Sequence, residues 1–317
     1  MNKLTLVYAL FVCLIIPAVT KSMPVFGEDD RFAISGGSDA RLRGLADSTA
    51  ALIRKEAIGP SGELSAKSVG EAHHLCPGEN YYNEPSAALC SGVLIAKNMI
   101  LTAGHCVKHC LEMRIVFGYS EYGGGTAHIP PSETYECKSA WAGEEENMRT
   151  DIGFVLLDRE VTNHQPANTS FIEAKTGLSV IVIGHSMGMP QKAQTNASII
   201  ATSQKMNFFM TDADAEGGQS GSPVFDAGTG KLLGIINKQI SEEGDFEYDE
   251  KGKCYKLTRL PLNCKFPNMD YYSIEEREPN LEFQAITTKD EKDQYVLPAG
   301  IGAAMLPRTP VGSLFIP

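Results

Sequence analysis

From Ala87 onward the hydrophobic positions come in short bursts: Val93–Ala96, Met99–Ala103, Arg114–Tyr119, Gly153–Leu157, Ser179–Gly184 and Lys231–Ile236. Each burst is rich in Val, Ile and Leu, and Gly, Pro and Asn punctuate the stretches between them. That pattern predicts the strands of an all-β barrel or sandwich. Helical periodicity is scarce there. Upstream, residues 21–75 read as an N-terminal extension or propeptide, with an acidic patch (Glu28-Asp29-Asp30), a glycine-rich stretch (Ser35-Gly36-Gly37-Ser38) and a predicted helix from Asp47 to Ala57. Beyond Cys264 the chain is polar and shows no regular pattern. No solenoid-type repeat or low-complexity tract is visible.

The first twenty residues have a different character. Lys3 precedes the apolar run Leu4–Ile16, too short to span a bilayer and of the right length for a secretory signal. No later segment is long and apolar enough to cross a membrane, so the mature chain is expected to be soluble, exported (extracellular or periplasmic) and without a membrane anchor. The working division is signal peptide 1–20, extension 21–75, main domain 76–275 and C-terminal segment 276–317.

Composition narrows the function. With 317 residues, 43% hydrophobic and 21% charged, the chain can fill a sizeable core. Its net charge of −11, with no basic run, argues against nucleic acid or anionic lipid as a partner. Export also changes how the cysteines read. Without Cys13, the remaining seven are Cys76, Cys90, Cys106, Cys110, Cys137, Cys254 and Cys264. In an oxidising compartment these are disulfide partners first, with the odd one free or paired outside the chain. The cluster His105-Cys106-x-x-His109-Cys110 leaves zinc as the alternative.

Three segments hold the candidate chemistry. Leu101-Thr102-Ala103-Gly104-His105-Cys106 follows an apolar strand, Asp151 immediately precedes the strand Gly153–Leu157, and Gly217-Gly218-Gln219-Ser220-Gly221-Ser222-Pro223-Val224 is a glycine-rich turn running into a strand. A serine hydroxyl is a weak nucleophile until a base lies within hydrogen-bond reach, and histidine titrates in the right range. The imidazole needs a buried carboxylate to fix its tautomer. A developing oxyanion needs backbone N–H donors, which glycines beside the serine help to present.

These motifs, TAGHC, DIGFVLL and GGQSGSPV in that order, resemble the trypsin-like serine peptidases of chymotrypsin fold, most of all secreted bacterial members of the glutamyl-endopeptidase-like group. The resemblance runs from about Cys76 to about Cys264. It implies two six-stranded antiparallel β-barrels, His105 as general base, Asp151 as its orienting carboxylate and Ser220 as nucleophile. It further implies an oxyanion hole from the N–H groups of Gly218 and Ser220, and a Cys90–Cys106 disulfide. No cofactor and no metal are required by this chemistry, the partners are polypeptide substrates, and a monomer is expected.

The resemblance leaves specificity open. Asp214 lies six residues before Ser220, where trypsin-like enzymes carry the aspartate that selects Arg or Lys. The later strand, Leu233-Gly234-Ile235-Ile236-Asn237-Lys238, lacks the histidine that accompanies a glutamate preference. Lys238 could draw an acidic side chain, so Asp214, Ile236, Asn237 and Lys238 are the candidate substrate-binding residues, with basic, acidic and apolar preferences all open and the basic one slightly ahead. Gln219 stands where trypsin-like zymogens have the aspartate that pairs with a freed amino terminus. Any leader removal, near Arg31 or elsewhere within 21–75, is therefore expected to proceed without that salt bridge.

Two other readings compete. One is a catalytically inactive peptidase-like domain that binds polypeptides. The other is an esterase or lipase using Ser186, because Val180–Gly188 matches a strand running into G-x-S-x-G. That second fold needs a histidine after its serine, and none follows Ser186. The acidic clusters Asp212-x-Asp214-x-Glu216 and Asp245-x-Glu247-x-Asp249 do not fit an EF-hand loop. Asn168 and Asn196 are formal glycosylation acceptors.

Overall fold

The computed structural model describes residues 25–120, 128–143, 151–170, 172–203, 208–237, 246–260 and 283–287. The expected signal peptide, Lys238 and Cys264 lie outside the described residues. Strands dominate. Six of them, β1 (Thr49–Arg54), β2 (Ala88–Ala96), β3 (Met99–Thr102), β4 (Met113–Val116), β5 (Thr134–Gly143) and β6 (Gly153–Leu157), pair antiparallel in the ring β6-β3-β2-β1-β4-β5, which the β5–β6 pairing closes. A closed ring leaves no unpaired edge.

A second antiparallel sheet has the order β9-β8-β7-β10-β11, from β7 (Ser179–Gly184), β8 (Lys192–Ser203), β9 (Phe208–Thr211), β10 (Pro223–Asp226) and β11 (Leu232–Ile235). The two-residue strand Phe32–Ala33 pairs with Lys192–Ala193 as its sixth member. A hairpin of β12 (Phe246–Asp249) and β13 (Cys254–Leu257) flanks the sheets, and β14 (Phe283–Thr287) adds to β5.

The apolar bursts are continuous rather than alternating because both faces of these strands are covered. On β2, β3 and β6, Leu94, Ile100, Val155 and Leu157 fill the closed barrel, while Val93, Leu101 and Phe154 face the other way. There they meet Ile181, Ile183 and Phe225 of the second sheet. Val180, Val182 and Val224 point to that sheet's own core. Each such side chain contributes on the order of 1.5–3 kcal/mol by leaving water.

Two expectations are corrected here. The helix lies at α1 (Ala40–Asp47), not at Asp47–Ala57. Asp39 caps it by accepting from the N–H groups of Arg41 and Leu42, and it ends at Ser48, which donates from Oγ to Leu45 O. Thr49–Ile53 is fully buried and pairs on both sides, with β2 and with β4, so tertiary pairing overrides the helix preference of its alanines. The stretch read as an extension thus supplies a strand of the first barrel, and the boundary at residue 76 falls at no edge of that barrel. Among the described residues three disulfides are formed: Cys90–Cys106, as the resemblance implied, and Cys76–Cys254 and Cys110–Cys137, which sequence alone left unpaired.

Candidate active site

His105 sits on a one-turn helix, α2 (Gly104–Val107), that begins one residue beyond β3. Because β3 pairs with β6, Thr102 lies opposite Gly153, and the residues flanking each strand are brought together. Asp151, just before β6, accepts the His105 backbone N–H through Oδ1 and the ring Nδ1–H through Oδ2, each at 2.8 Å. One carboxylate therefore fixes both the backbone and the ring of the histidine. Gly104 permits this approach, since a Cβ there would stand 2.9 Å from Asp151 Oδ1. The Asp151 side chain is 13% exposed and the His105 side chain 37%, so the carboxylate is covered and the imidazole opens to solvent.

Ser220 arrives from the second sheet, on the loop before β10. Its carbonyl accepts the N–H of Ser91 on β2 at 2.7 Å, and it lies 3.8 Å from Sγ of Cys106, the residue after His105. Gly221 is held against the same strands: its φ is +85°, and a Cβ would stand 2.0 Å from Ser91 O and 2.2 Å from Thr102 Oγ1. Only glycine fits there. Ser91 is the hub of the junction. Its Oγ donates to Gly218 O at 2.9 Å and accepts from His185 N at 3.0 Å, while its carbonyl accepts from Thr102 Oγ1 at 2.6 Å. The loop is further pinned by Gly221 N–H to Ile236 O at 2.6 Å and by the Ser222 hydroxyl bonded to Gln219 Oε1. Gly218 adopts φ +96° against His185 O. Among the described residues, the N–H groups of Gly218 and Ser220 donate to no protein acceptor.

The structure thus brings His105, Asp151, Ser220 and Gly218 to one junction between the two sheets. Cys90 and Cys106 flank it as a disulfide, which leaves neither sulfur as a thiolate; with Cys110 also paired, the zinc alternative falls away. Ile236 reaches the loop through its backbone, and Asn237 is half-buried beside it.

Asp214 is fully buried, its N–H donating to Gln194 Oε1 at 2.8 Å. It shares its surroundings with Arg31, which lies within the stretch 21–75 where any leader removal is expected. Burial disfavours the Arg31 charge, but Glu216, Asp29 and Asp214 outweigh that and keep the guanidinium protonated. Ser186, the alternative nucleophile, is wholly buried: its hydroxyl is bonded to Glu216 and accepts from Arg31 Nη1 at 2.8 Å. It has no route to a substrate. The neighbouring His185 is equally buried, stacked on Tyr119, and burial pushes its pKa down to about 4, leaving a neutral ring.

Residues 90–235 match the family model of a trypsin-like peptidase domain. No curated protein matches the chain. Among solved structures, a Glu endopeptidase in complex with MPD is similar at 16% identity, covering 74% of this chain and 94% of that one, with a TM-score of 0.43. Human heparin binding protein is similar at 15% identity over 66% and 86%, TM-score 0.43. The VesB protease of Vibrio cholerae is similar at 13% identity over 71% and 63%, TM-score 0.42.

Proposed function

We propose that the chain is a secreted serine endopeptidase that works through an acyl-enzyme on Ser220, a reading supported by the match of residues 90–235 to the family model of a trypsin-like peptidase domain. His105 takes the Ser220 hydroxyl proton as Oγ attacks the scissile carbonyl carbon. Asp151 holds the ring by Nδ1 and stabilises the imidazolium that forms. The oxyanion accepts from the N–H groups of Gly218 and Ser220. His105 then passes its proton to the leaving amine, and water, deprotonated by the same ring, releases the acyl group. The observation that carries this reading is the pair of hydrogen bonds that His105 donates, from its backbone N–H and its ring Nδ1–H, to Asp151 beside a serine loop anchored on Ser91.

The disulfides support an oxidising destination. Among the described residues no helix is long and apolar enough to cross a membrane. Polypeptides are the proposed substrates, cut without a cofactor. A fluorophosphonate probe tests the proposal: it should label the wild-type chain on Ser220 and fail on Ser220→Ala, which should also cleave no peptide. Labelling that persists in Ser220→Ala would discard the assignment, and an unlabelled wild type would favour a peptide-binding domain without turnover.

A further inference from the structure

The guanidinium of Arg31 is a buried charge with no part in the proposed chemistry. The Arg31 side chain is 1% exposed and points into the region beneath the serine loop. Nε and Nη2 donate to the two carboxylate oxygens of Asp29 at 2.8 and 2.9 Å, and Nη1 bonds both Ser186 Oγ, at 2.8 Å, and Glu216 Oε2. Glu216 stands four residues before Ser220, and its carbonyl accepts the Gln219 N–H at 3.0 Å. A second tie runs through Gln194, which donates to Asp30 Oδ1 at 2.7 Å and accepts from Asp214 N–H at 2.8 Å. The backbone around Arg31 is equally embedded. Its carbonyl accepts from the Tyr81 hydroxyl, Phe32–Ala33 pairs with β8, Ile34 is buried at the interface between the sheets, and Val25 pairs with Arg259.

We propose that Arg31 is a permanent internal counter-ion that positions the Asp214–Ser220 loop, so that residues 29–34 stay with the active enzyme and no freed amino terminus is needed. The proposal rests on the peptidase reading of Ser220. Gln219 has no charge for an amino terminus and bonds the Ser222 hydroxyl instead. The positive charge that steadies the loop comes from a side chain, delivered by a segment that sheet pairing holds in place. Arg31 touches no substrate; it acts through Glu216 and Ser186.

The test uses the secreted chain with Arg31→Met, Arg31→Lys and the double variant Arg31→Met/Glu216→Gln, which removes the stranded carboxylate along with its partner. Readouts are thermal midpoint, hydrogen exchange at the amides of 217–222, and the rate of fluorophosphonate labelling. Arg31→Met should label about 100-fold more slowly, the cost of a misplaced reacting group, with partial rescue by added guanidinium and by Arg31→Lys. The double variant should regain its midpoint yet keep fast exchange and slow labelling. Wild-type exchange and labelling in the double variant, or an active form whose sequenced amino terminus lies beyond Arg31, would overturn the proposal. If the wild type fails to label while exchange responds as expected, the peptidase reading falls and the positioning role stands.

Discussion

Asp151 and Gly221 show how much rests on single positions. Asp151→Asn would present a donor where the His105 Nδ1–H needs an acceptor; the expected result is a fall in kcat of about 10⁴-fold with an unchanged melting temperature. Gly221→Ala would drive a Cβ into the Ser91 carbonyl and strain a φ of +85°, so Ser220 must shift. Peptide turnover should drop by about 100-fold, whereas a change within experimental error would show that the loop can yield. Asp214 was legible from its spacing to Ser220, but its setting was not. A carboxylate fully buried beside Arg31 is a poor selector of basic substrates. A peptide panel varied before the scissile bond should therefore show no preference for Arg or Lys. Ser91 went unnoticed because a lone serine in an apolar run carries no signal of its own.

The elements are joined by polar latches as well as by strand pairing. His164 donates from both ring nitrogens, to Asp47 at the end of α1 at 2.8 Å and to Glu133 before β5 at 2.6 Å, and it stacks on Phe117. Burial alone would lower its pKa, yet the hydrogen bonds and charges of the two carboxylates win and raise it to about 9. A folded pKa above the unfolded value near 6.5 means that the stabilisation is complete below the unfolded value and is lost as pH rises through about 9. Urea unfolding at pH 6 and pH 9.5 should show wild type losing stability across that window and His164→Gln losing far less of it. The Cys110–Cys137 link, spanning 27 residues from the turn after α2 to β5, should contribute about 3.5 kcal/mol. Cys110→Ser/Cys137→Ser is expected to lower the denaturant midpoint accordingly while leaving probe labelling of Ser220 intact.

At the scale of the whole molecule, the site is a seam. His105 and Asp151 belong to the closed barrel and Ser220 to the second sheet, so the proposed reactive groups meet only when the two cores pack through Val93, Leu101, Phe154, Ile181, Ile183 and Phe225. The Cys76–Cys254 bond closes a separation of 178 residues and binds the first half of the chain to the β12–β13 hairpin. Peptide mapping without reduction should recover Cys76 joined to Cys254; Cys76 joined to Cys264 would refute that pairing.

Sequence alone determined the strand-rich class, the bursts that became β2, β3, β4, β6, β7 and β11, and the three motifs, because hydrophobic bursts and glycine-bounded turns are local signals that survive without neighbours. It could not place Thr49–Ile53, whose alanines suit a helix as well as a strand, until β2 and β4 were present to pair with it. Nor could it show that Ser186 is buried under Arg31, or that Arg31, beside an acidic stretch near the amino terminus, pairs with Glu216 four residues before Ser220. Those outcomes depend on which charges are removed from water together, and only the packed chain brings Arg31 and Glu216, 185 residues apart, into contact.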